Sequence, residues 1–322
     1  MRSRTVKILM LINLSALFAL SDSYAVFKDP GFGARPMAMG GAFTAVADDS
    51  NAPLYNPAGI TQAGNPQIGL SYAKLFSGLE NVDLSLQYFS ALYPYGEIGS
   101  FGISWTDFSA NYHRENTVNI TYARSIERLF RFKGNWPEIS FGANAKYLSH
   151  SYILDDYSRN DPVFASGSSK SNFTADLGLW AKLKANKFGV ASAGIAVKNI
   201  TQPDMGILTE DNAAAETRVG AAYKIRKLGS MKNLIIASDL VYRNIVTEQR
   251  EKNISLSLGA EAWFLNEMLA ARLGGNSGGL TCGFGVKKNF GDYDIIFDYA
   301  LLWPLQLIST TGSHRVSLSC GF

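Results

Sequence analysis

Residues 33–60 have the sequence GARPMAMGGAFTAVADDSNAPLYNPAGI, which differs in character from everything that follows it. The stretch is rich in Gly, Ala and Pro, carries adjacent carboxylates at Asp48 and Asp49, and ends on the tetrapeptide NPAG. We expect a short apolar helix over 37–46, a turn at 48–51 that ends it, and extended or turn backbone at the prolines. A segment this small cannot bury enough surface to stay ordered alone. The remaining chain is therefore expected to enclose it.

From Ile68 to the last residue, apolar side chains recur at every second position, a pattern typical of β-strands with two different faces. About fourteen such strands can be delimited, and their length of about ten residues suits a tilted crossing of a bilayer. In the first two strands the apolar, outward-facing positions are predicted to be Ile68, Leu70, Tyr72 and Leu84, Leu86, Tyr88. The sequence therefore predicts an all-β protein, a transmembrane antiparallel β-barrel over residues 67–322.

Proline positions and connection lengths agree with a barrel. Proline has no backbone donor and is excluded from the interior of paired strands, and we place all ten prolines in the first segment or at connections. Connections after odd-numbered strands, such as 149–170 and 201–215, tend to be long and polar, whereas most others are short. Long loops on one side and tight turns on the other are typical of outer-membrane barrels. The exception, 125–137, is predicted to be a short interfacial helix.

The polar face of the strands carries balanced charges, which suits a wet interior because a charge at mid-membrane would cost about 2–4 kcal/mol if it faced lipid. The residues predicted to face inward are Asp83, Glu138, Asp176, Asp239, Glu261, Asp294, Asp298, Lys146, Lys182, Arg218, Lys224, Arg272, Lys287 and Arg315. A soluble two-layer sandwich with a solvated outer face predicts the same alternation and stays open as an alternative. The one-sided long loops and the terminal Phe322 favour the barrel.

Residues 1–25 have the features of a signal peptide: early basic residues, an apolar run over 8–20, and the small residues Ser23 and Ala25 at the predicted cleavage site. Its removal takes away three of 30 basic residues and one of 27 acidic ones, leaving 27 against 26. A mature chain this close to neutral lacks the electrostatic signature of a nucleic-acid binder. No later run of about eighteen apolar residues predicts a helical membrane span.

In the opening stretch the sequence resembles the FadL-type outer-membrane transporters of hydrophobic compounds, and more closely their relatives, the PorV/PorQ family. The matching features are Gly33-Ala34-Arg35, Met39-Gly40-Gly41, Ala47-Asp48-Asp49 and Asn56-Pro57-Ala58-Gly59. The resemblance implies a fourteen-stranded barrel whose residues 26–66 fold into the lumen as a hatch. The hatch residues that it implies are Arg35, Gly40, Gly41, Asp48, Asp49, Asn56, Pro57 and Gly59.

The resemblance implies two different functions. FadL-type members pass hydrophobic substrates from an outer pocket past the hatch and out through a gap in the wall. PorV-type members are non-catalytic partners of a protein secretion system and shuttle cargo proteins at the cell surface. The apolar loop 301–308 is the candidate for a ligand path, through Leu302, Trp303, Leu305 and Leu307. Passage of fatty-acid-like molecules is the leading expectation, and cargo docking is the alternative.

Other chemistry has little support in the sequence. The Asp48-Asp49-Ser50-Asn51 run lacks the spacing of a calcium loop, so no metal or cofactor is predicted. The three histidines lie far apart in sequence and no nucleophile motif is present, so no catalytic residue is predicted either. The expected partners are outer-membrane lipid, a hydrophobic small molecule or secreted cargo with its machinery, and the barrel-assembly machinery through Phe322. The expected location is the bacterial outer membrane.

Overall fold

The computed structural model describes residues 27, 30–127, 137–165, 167–183, 185–244, 252–307 and 309–322. Fourteen antiparallel strands each pair with the next in sequence, and the last pairs with the first, so the sheet closes into a barrel. This closure confirms the predicted architecture and excludes the two-layer sandwich. The strands are β1 Gln67–Ser77, β2 Leu84–Tyr95, β3 Gly99–Ser109, β4 His113–Ser125, β5 Glu138–Tyr152, β6 Ser169–Lys182, β7 Gly189–Lys198, β8 Ala215–Leu228, β9 Met231–Asn244, β10 Lys252–Phe264, β11 Leu269–Asn276, β12 Gly279–Phe290, β13 Tyr293–Pro304 and β14 Gly312–Gly321.

The alternation of the strands separates an apolar outer face from a polar interior. Leu177, Leu179 and Phe173 of β6 are exposed on the outside, while Asp176 and Trp180 of the same strand are buried inside. Because side chains of a strand point alternately to its two faces, this difference follows directly from the sequence pattern. Of the fourteen charged residues predicted to face inward, eight are buried: Asp176, Asp239, Glu261, Asp298, Lys146, Arg218, Arg272 and Arg315.

Strand β2 corrects one prediction. Leu86 and Tyr88 are buried inside the barrel instead of facing outward, and Leu86 packs with Ala73 and Leu75 of β1. The reason is that β2 is apolar on both faces, so alternation alone does not fix which face looks inward. Phe32 of the N-terminal segment lies against this cluster, which accounts for an apolar patch on the inner wall.

The connections differ at the two ends of the barrel. We call the end that carries the loops 153–168 and 199–214 the outer end, and the end where the chain terminates the inner end.

Two prolines lie within strands rather than in connections: Pro94 is the next-to-last residue of β2 and Pro304 is the last of β13. Proline is tolerated there because few ladder hydrogen bonds remain at a strand end. The predicted interfacial helix falls mostly on 128–136, outside the described residues, as does the predicted signal peptide 1–25.

The N-terminal segment, residues 30–66, is helical in three short pieces: Ala34–Ala38, Ala52–Tyr55 and a 3-10 helix at Pro57–Gln62. The helix predicted over 37–46 is therefore wrong. The first helix ends because Gly40 and Gly41 adopt φ of +68° and +81°. Their amides bond to Met37 O at 3.1 Å and Pro36 O at 2.9 Å, which is a Schellman ending. No helix in the described parts of the chain is long and apolar enough to cross a membrane.

Candidate functional site

The N-terminal segment lies inside the barrel, where polar side chains on the inner wall bond to its backbone. Ser90 and Tyr88 donate to Ser50 O, each at 2.6 Å, and Trp180 Nε1 donates to Ala45 O at 2.9 Å. Other strands contribute Asn144, Ser192, Arg218, Asp239, Glu261, Asn276, Thr281 and Ser317. Ten of the fourteen strands, β2, β5 to β12 and β14, thus hold the segment by hydrogen bonds.

Glycines on the inner wall allow this close approach. A Cβ at Gly142 would lie 2.4 Å from Ala58 N, and one at Gly259 would lie 2.3 Å from Met39 O, so neither position has room for a side chain. Several of these glycines face each other across neighbouring strands: Gly142 with Gly178, Gly194 with Gly220, and Gly259 with Gly274. The wall and the segment therefore fit together backbone to backbone.

Arg35 is the centre of an ionic network. Its Nη1 lies 2.6 Å from Asp48 Oδ1 and 2.9 Å from Asp49 Oδ2. Its Nε and Nη2 donate to the two oxygens of Glu261 at 2.8 and 2.9 Å, a bidentate arrangement. Arg35 thereby joins the first helix and the turn at Asp48 and Asp49 to strand β10. Removing one partner from such a buried group leaves charges uncompensated, at a cost of about 3–5 kcal/mol.

The network continues into the wall. Arg272 Nε donates to Glu261 at 2.6 Å and its Nη1 donates to Asp298 at 2.7 Å, so β10, β11 and β13 share one chain of ion pairs. Trp263 Nε1 also donates to Glu261, at 3.1 Å. Asp48 and Asp49 remain 28% and 20% exposed, whereas Arg272 and Glu261 are buried. The acidic pair of the segment is thus the part of the network that water reaches.

Asp239 of β9 provides a second anchor. One of its oxygens accepts bonds from the amides of Phe43 and Thr44 at 3.1 and 3.0 Å, and from Thr44 Oγ1 at 2.6 Å. Arg218 of β8 donates to Gly41 O at 2.9 Å and pairs with Glu216 at 3.1 Å. A buried carboxylate that accepts two adjacent amides stabilises a tight turn of the segment.

The NPAG tetrapeptide forms a third anchor. Asn56 is fully buried; its amide nitrogen donates to Thr44 O at 3.0 Å and to Leu179 O of β6 at 2.9 Å, and its Oδ1 caps the 3-10 helix at Ala58 N. Pro57 begins that helix, where its missing amide donor is not needed. A Cβ at Gly59 would lie 2.3 Å from Ala47 O, so the tetrapeptide packs directly on the preceding turn. All eight predicted hatch residues therefore lie in the segment inside the barrel.

The four residues predicted to form a ligand path lie at the end of β13 and in the connection that follows it. Trp303, Leu305 and Leu307 are about half exposed at the outer end, and neither they nor Leu302 line the cavity described next. A ligand path along this loop therefore stays a prediction. Apolar side chains at the rim of a membrane barrel are accommodated by the surrounding lipid interface, so their apolar character does not require a pocket.

A cavity of about 90 Å³ with an open mouth lies above the segment at the outer end. Its large apolar side chains are Phe27, Phe32, Leu54, Phe108 and Leu148, and Pro30 and Ala214 also line it. The charged residues around it are Glu115, Lys146, Asp176, Lys198, Glu216 and Arg243. Most of these charges are paired within the wall, as are Lys146 with Asp176 at 2.8 Å and Arg243 with Glu216 at 2.6 Å. The cavity is therefore amphipathic.

The loop 199–214 folds inward at the mouth of this cavity. Met205 is fully buried and packs on Leu148, and its carbonyl lies 2.6 Å from His150 Nε2. Lys170 Nζ lies 2.5 Å from Asp204 Oδ2, and this hydrogen bond, together with those from the amides of Asp211 and Gly206, lowers the pKa of Asp204 to about 2. An ion pair at the rim thus holds the loop to β6.

The structure brings together two histidines that the sequence leaves far apart. The rings of His113 and His150 are 5.3 Å apart at the outer end, and His113 Nε2 lies 3.1 Å from Glu115. Phe27 packs against His150, and its amide donates to Glu115. Antiparallel pairing of β4 with β5 explains the approach, which sequence separation conceals. Among the described residues no group of His, Cys, Asp or Glu is arranged to hold a metal ion.

Comparisons with known proteins agree with the fold. The toluene transporters TbuX of Ralstonia pickettii and TodX of Pseudomonas putida are 11% and 13% identical to this chain, both with a TM-score of 0.56. The alignments cover 92% of this chain and 99% and 98% of those chains. A FadL homologue of Pseudomonas aeruginosa is 12% identical, with a TM-score of 0.53, and covers 94% of this chain and 99% of its own. At these identities the likeness shows the fold alone.

The sequence comparison shows the family. No curated protein sequence matches the chain significantly. Residues 49–320 match the family described as type IX secretion system membrane protein PorP/SprF. The PorV/PorQ family, to which the opening stretch was compared, is not itself shown. Since the match spans most of the molecule, the chain belongs to the PorP/SprF family of type IX secretion system membrane proteins.

Proposed function

We propose that the protein is a non-catalytic component of a type IX secretion system whose barrel acts as a docking platform for a secreted protein. On this proposal residues 1–25 direct export, residues 26–66 close the lumen as a hatch, and residues 67–322 span the outer membrane. The terminal Phe322, whose amide bonds to Pro66 O at 3.1 Å, serves as the signal read by the assembly machinery.

One observation carries the proposal: the N-terminal segment is bonded to ten strands around the barrel. At about 0.5–1.5 kcal/mol for each hydrogen bond, with Arg35 adding ionic contacts, opening the lumen would require many bonds to break together. A permanently closed lumen suits a platform better than a channel. Docking of the secreted protein then takes place at the outer end, where the loops 153–168 and 199–214 lie.

The test is to isolate the protein from its native outer membrane with an epitope inserted between Gly229 and Ser230, an exposed turn at the inner end. An unrelated barrel of the same membrane, tagged in the same way, is the matched control. We expect secreted proteins or secretion-system components to be enriched only with the tagged protein. Enrichment of neither would contradict the docking function.

A second candidate function, passage of hydrophobic compounds, is favoured by seven apolar residues that line the outer cavity, including Phe27, Phe32 and Phe108. The same purification distinguishes it, because lipid extraction of the sample would recover fatty-acid-like molecules in amounts comparable to the protein. Recovery of such molecules without a secretion component would support this second function over docking.

A further inference from the structure

The outer rim of the barrel contains a stretch of strand edge without a neighbouring strand. β5 and β6 pair along their length up to Ser151 opposite Ser169. By contrast, β6 pairs with β7 only from Leu177 to Lys182. Within the described parts of the chain, no other strand pairs with the outer half of β6 on that side.

The chain leaves the wall directly after β7, and this departure creates the edge. Asn199 and Gln202 adopt left-handed φ of 52° and 45°, and the chain then turns into the lumen, where Met205 is buried. Ile200 N donates to Ala175 O at 3.0 Å before the turn and Thr201 Oγ1 donates to Phe173 O at 3.5 Å, so the loop covers β6 up to about the carbonyl of Phe173. Residues 169–172 and the amide of Phe173 lie beyond this contact.

The backbone of residues 169–173 points its free groups to the open side. Tyr152 N donates to Ser168 O at 2.8 Å, so the even-numbered residues of β6 form the hydrogen-bonded pairs with β5. The amides and carbonyls of Ser169, Ser171 and Phe173 therefore point away from β5. The amide of Phe173 bonds only to the neighbouring side chain of Asn172, at 2.8 Å, which is a local substitute for a strand partner.

The open edge lies at the water side of the apolar belt. Outward-facing residues of β6 change from Leu179 and Leu177 to Phe173 and then to Ser171 and Ser169, all of them exposed. Aromatic residues mark the interface of a membrane barrel, so the belt ends near Phe173. Unpaired backbone groups above that level are solvated and remain available to another chain.

The loops beside the edge are acidic. In 153–168 and 199–214, the carboxylates not paired to a lysine or arginine within hydrogen-bond distance are Asp155, Asp156, Asp161, Glu210 and Asp211. The basic residue of these two loops is Arg159, which lies 4.0 Å from Asp156 and is 68% exposed. The rim around the edge therefore carries a net negative charge, which attracts a basic partner.

We propose that residues 169–173 of β6 bind an extended, basic segment of a secreted protein by β-strand addition. This inference rests on the proposed docking function and specifies how the barrel holds its cargo. Main-chain hydrogen bonds to Ser169, Ser171 and the amide of Phe173 supply affinity, and the acidic loops select the charge of the added strand. The exposed ring of Phe173, beside Tyr147 at 5.1 Å, offers an apolar contact to its alternate side chains.

Binding is measured with the purified full-length barrel and a fluorescent octapeptide, Lys-Val-Thr-Val-Lys-Val-Thr-Lys. Ser171→Pro removes one edge amide and blocks the approach of a strand, without touching the bonds to β5. Ser171→Ala removes only the side chain and is the matched control. We expect Ser171→Pro to weaken binding about tenfold, as the loss of one to two hydrogen bonds implies, and Ser171→Ala to leave it unchanged. A peptide with Glu in place of Lys should bind at least about fivefold more weakly.

Equal binding by the wild type and Ser171→Pro, or no binding by the wild type, would overturn the inference, provided that both variants keep the shifted migration of a folded barrel on unheated gels. The native purification separates this failure from failure of the docking function. If the wild type and Ser171→Pro recover the same secreted protein equally, the edge is not the binding site but docking stands. If the wild type recovers none, docking itself fails.

Discussion

Replacing Gly142 by Ala tests the fit between the wall and the N-terminal segment. The new Cβ would lie 2.4 Å from Ala58 N and 2.5 Å from Pro57 C, both backbone atoms, whereas ordinary contact begins at 3.4 Å. The 57–58 stretch must therefore retreat by about 1 Å, the difference between those two distances. Gly275→Ala is the matched control, because its Cβ would meet its nearest neighbour, Leu280, at 3.5 Å.

The retreat strains three hydrogen bonds of the same region. They are Asn56 Nδ2 to Leu179 O, Asn144 Nδ2 to Pro53 O and Thr61 Oγ1 to Ser140 Oγ, each 2.9 Å long. At about 0.5–1.5 kcal/mol each, their loss destabilises the seated segment by about 1.5–4.5 kcal/mol. Since about 1.4 kcal/mol is a factor of ten, the unseated population rises about tenfold to a thousandfold.

Chymotrypsin reports this population, because Phe43 and Tyr55 are buried in the seated segment and its cleavage sites open only when the segment leaves. Cleavage after these two residues, quantified by mass spectrometry, should accelerate by at least about tenfold in Gly142→Ala and remain at the wild-type rate in Gly275→Ala. Equal rates in the two variants would refute the backbone-to-backbone fit.

Three further predictions concern the anchors and the rim. Arg35→Ala, which leaves buried Glu261 without its bidentate partner, should destabilise the seated segment by about 3–5 kcal/mol and raise the same chymotryptic cleavage; an unchanged rate would contradict the ionic network. Asn56→Asp replaces a donor to two carbonyls by an acceptor and should unseat the segment more than Asn56→Ala; the reverse order would be inconsistent with the bonding described. The pKa of Asp204 is lowered in the folded protein. Its ion pair with Lys170 therefore stabilises the folded loop above the unfolded-state pKa of about 3.9, and this stabilisation is lost as the pH falls through about 2. Oxidation of Met205 by peroxide, relative to free methionine at each pH, should therefore rise between about pH 4 and pH 2, and a flat profile would exclude a role for this ion pair.

The fold follows from the alternation of apolar and polar residues. The limit of that signal is shown by β2, the strand whose inward and outward faces were predicted the wrong way round. Apart from Trp180, strand β6 has its apolar residues on one parity, so the face that points outward was unambiguous. Strand β2 has apolar residues on both parities. Which of its faces points inward depends on packing against Phe32 and β1, neither of which its own sequence reveals. Six of the charged residues expected inside are not buried. Asp83 lies in a loop, Glu138, Lys182 and Asp294 lie at or next to a strand end, and Lys224 and Lys287 lie four and three residues before the ends of β8 and β12. Alternation does not tell where a strand leaves the barrel.

The candidate site was only partly accessible to sequence reasoning. The unusual composition of 33–60 identified the segment, and the resemblance supplied its eight residues. Their wall partners, such as Asp239 and Asn144, are side chains of separate strands whose relative heights depend on register, which composition does not encode. Small residues on the inward parity of successive strands, as at Gly142 and Gly178, were the available signal for a segment packed against the wall.

Ion conductance across a planar bilayer tests the central claim, that the N-terminal segment closes the barrel, most directly. The wild-type protein and a variant that lacks residues 33–59 are reconstituted under the same conditions, each checked for folded migration on unheated gels. We predict no steady conductance for the wild type and stable, stepwise conductance for the deletion variant. Steady conductance of the wild type, or a silent deletion variant that is folded, would contradict the claim.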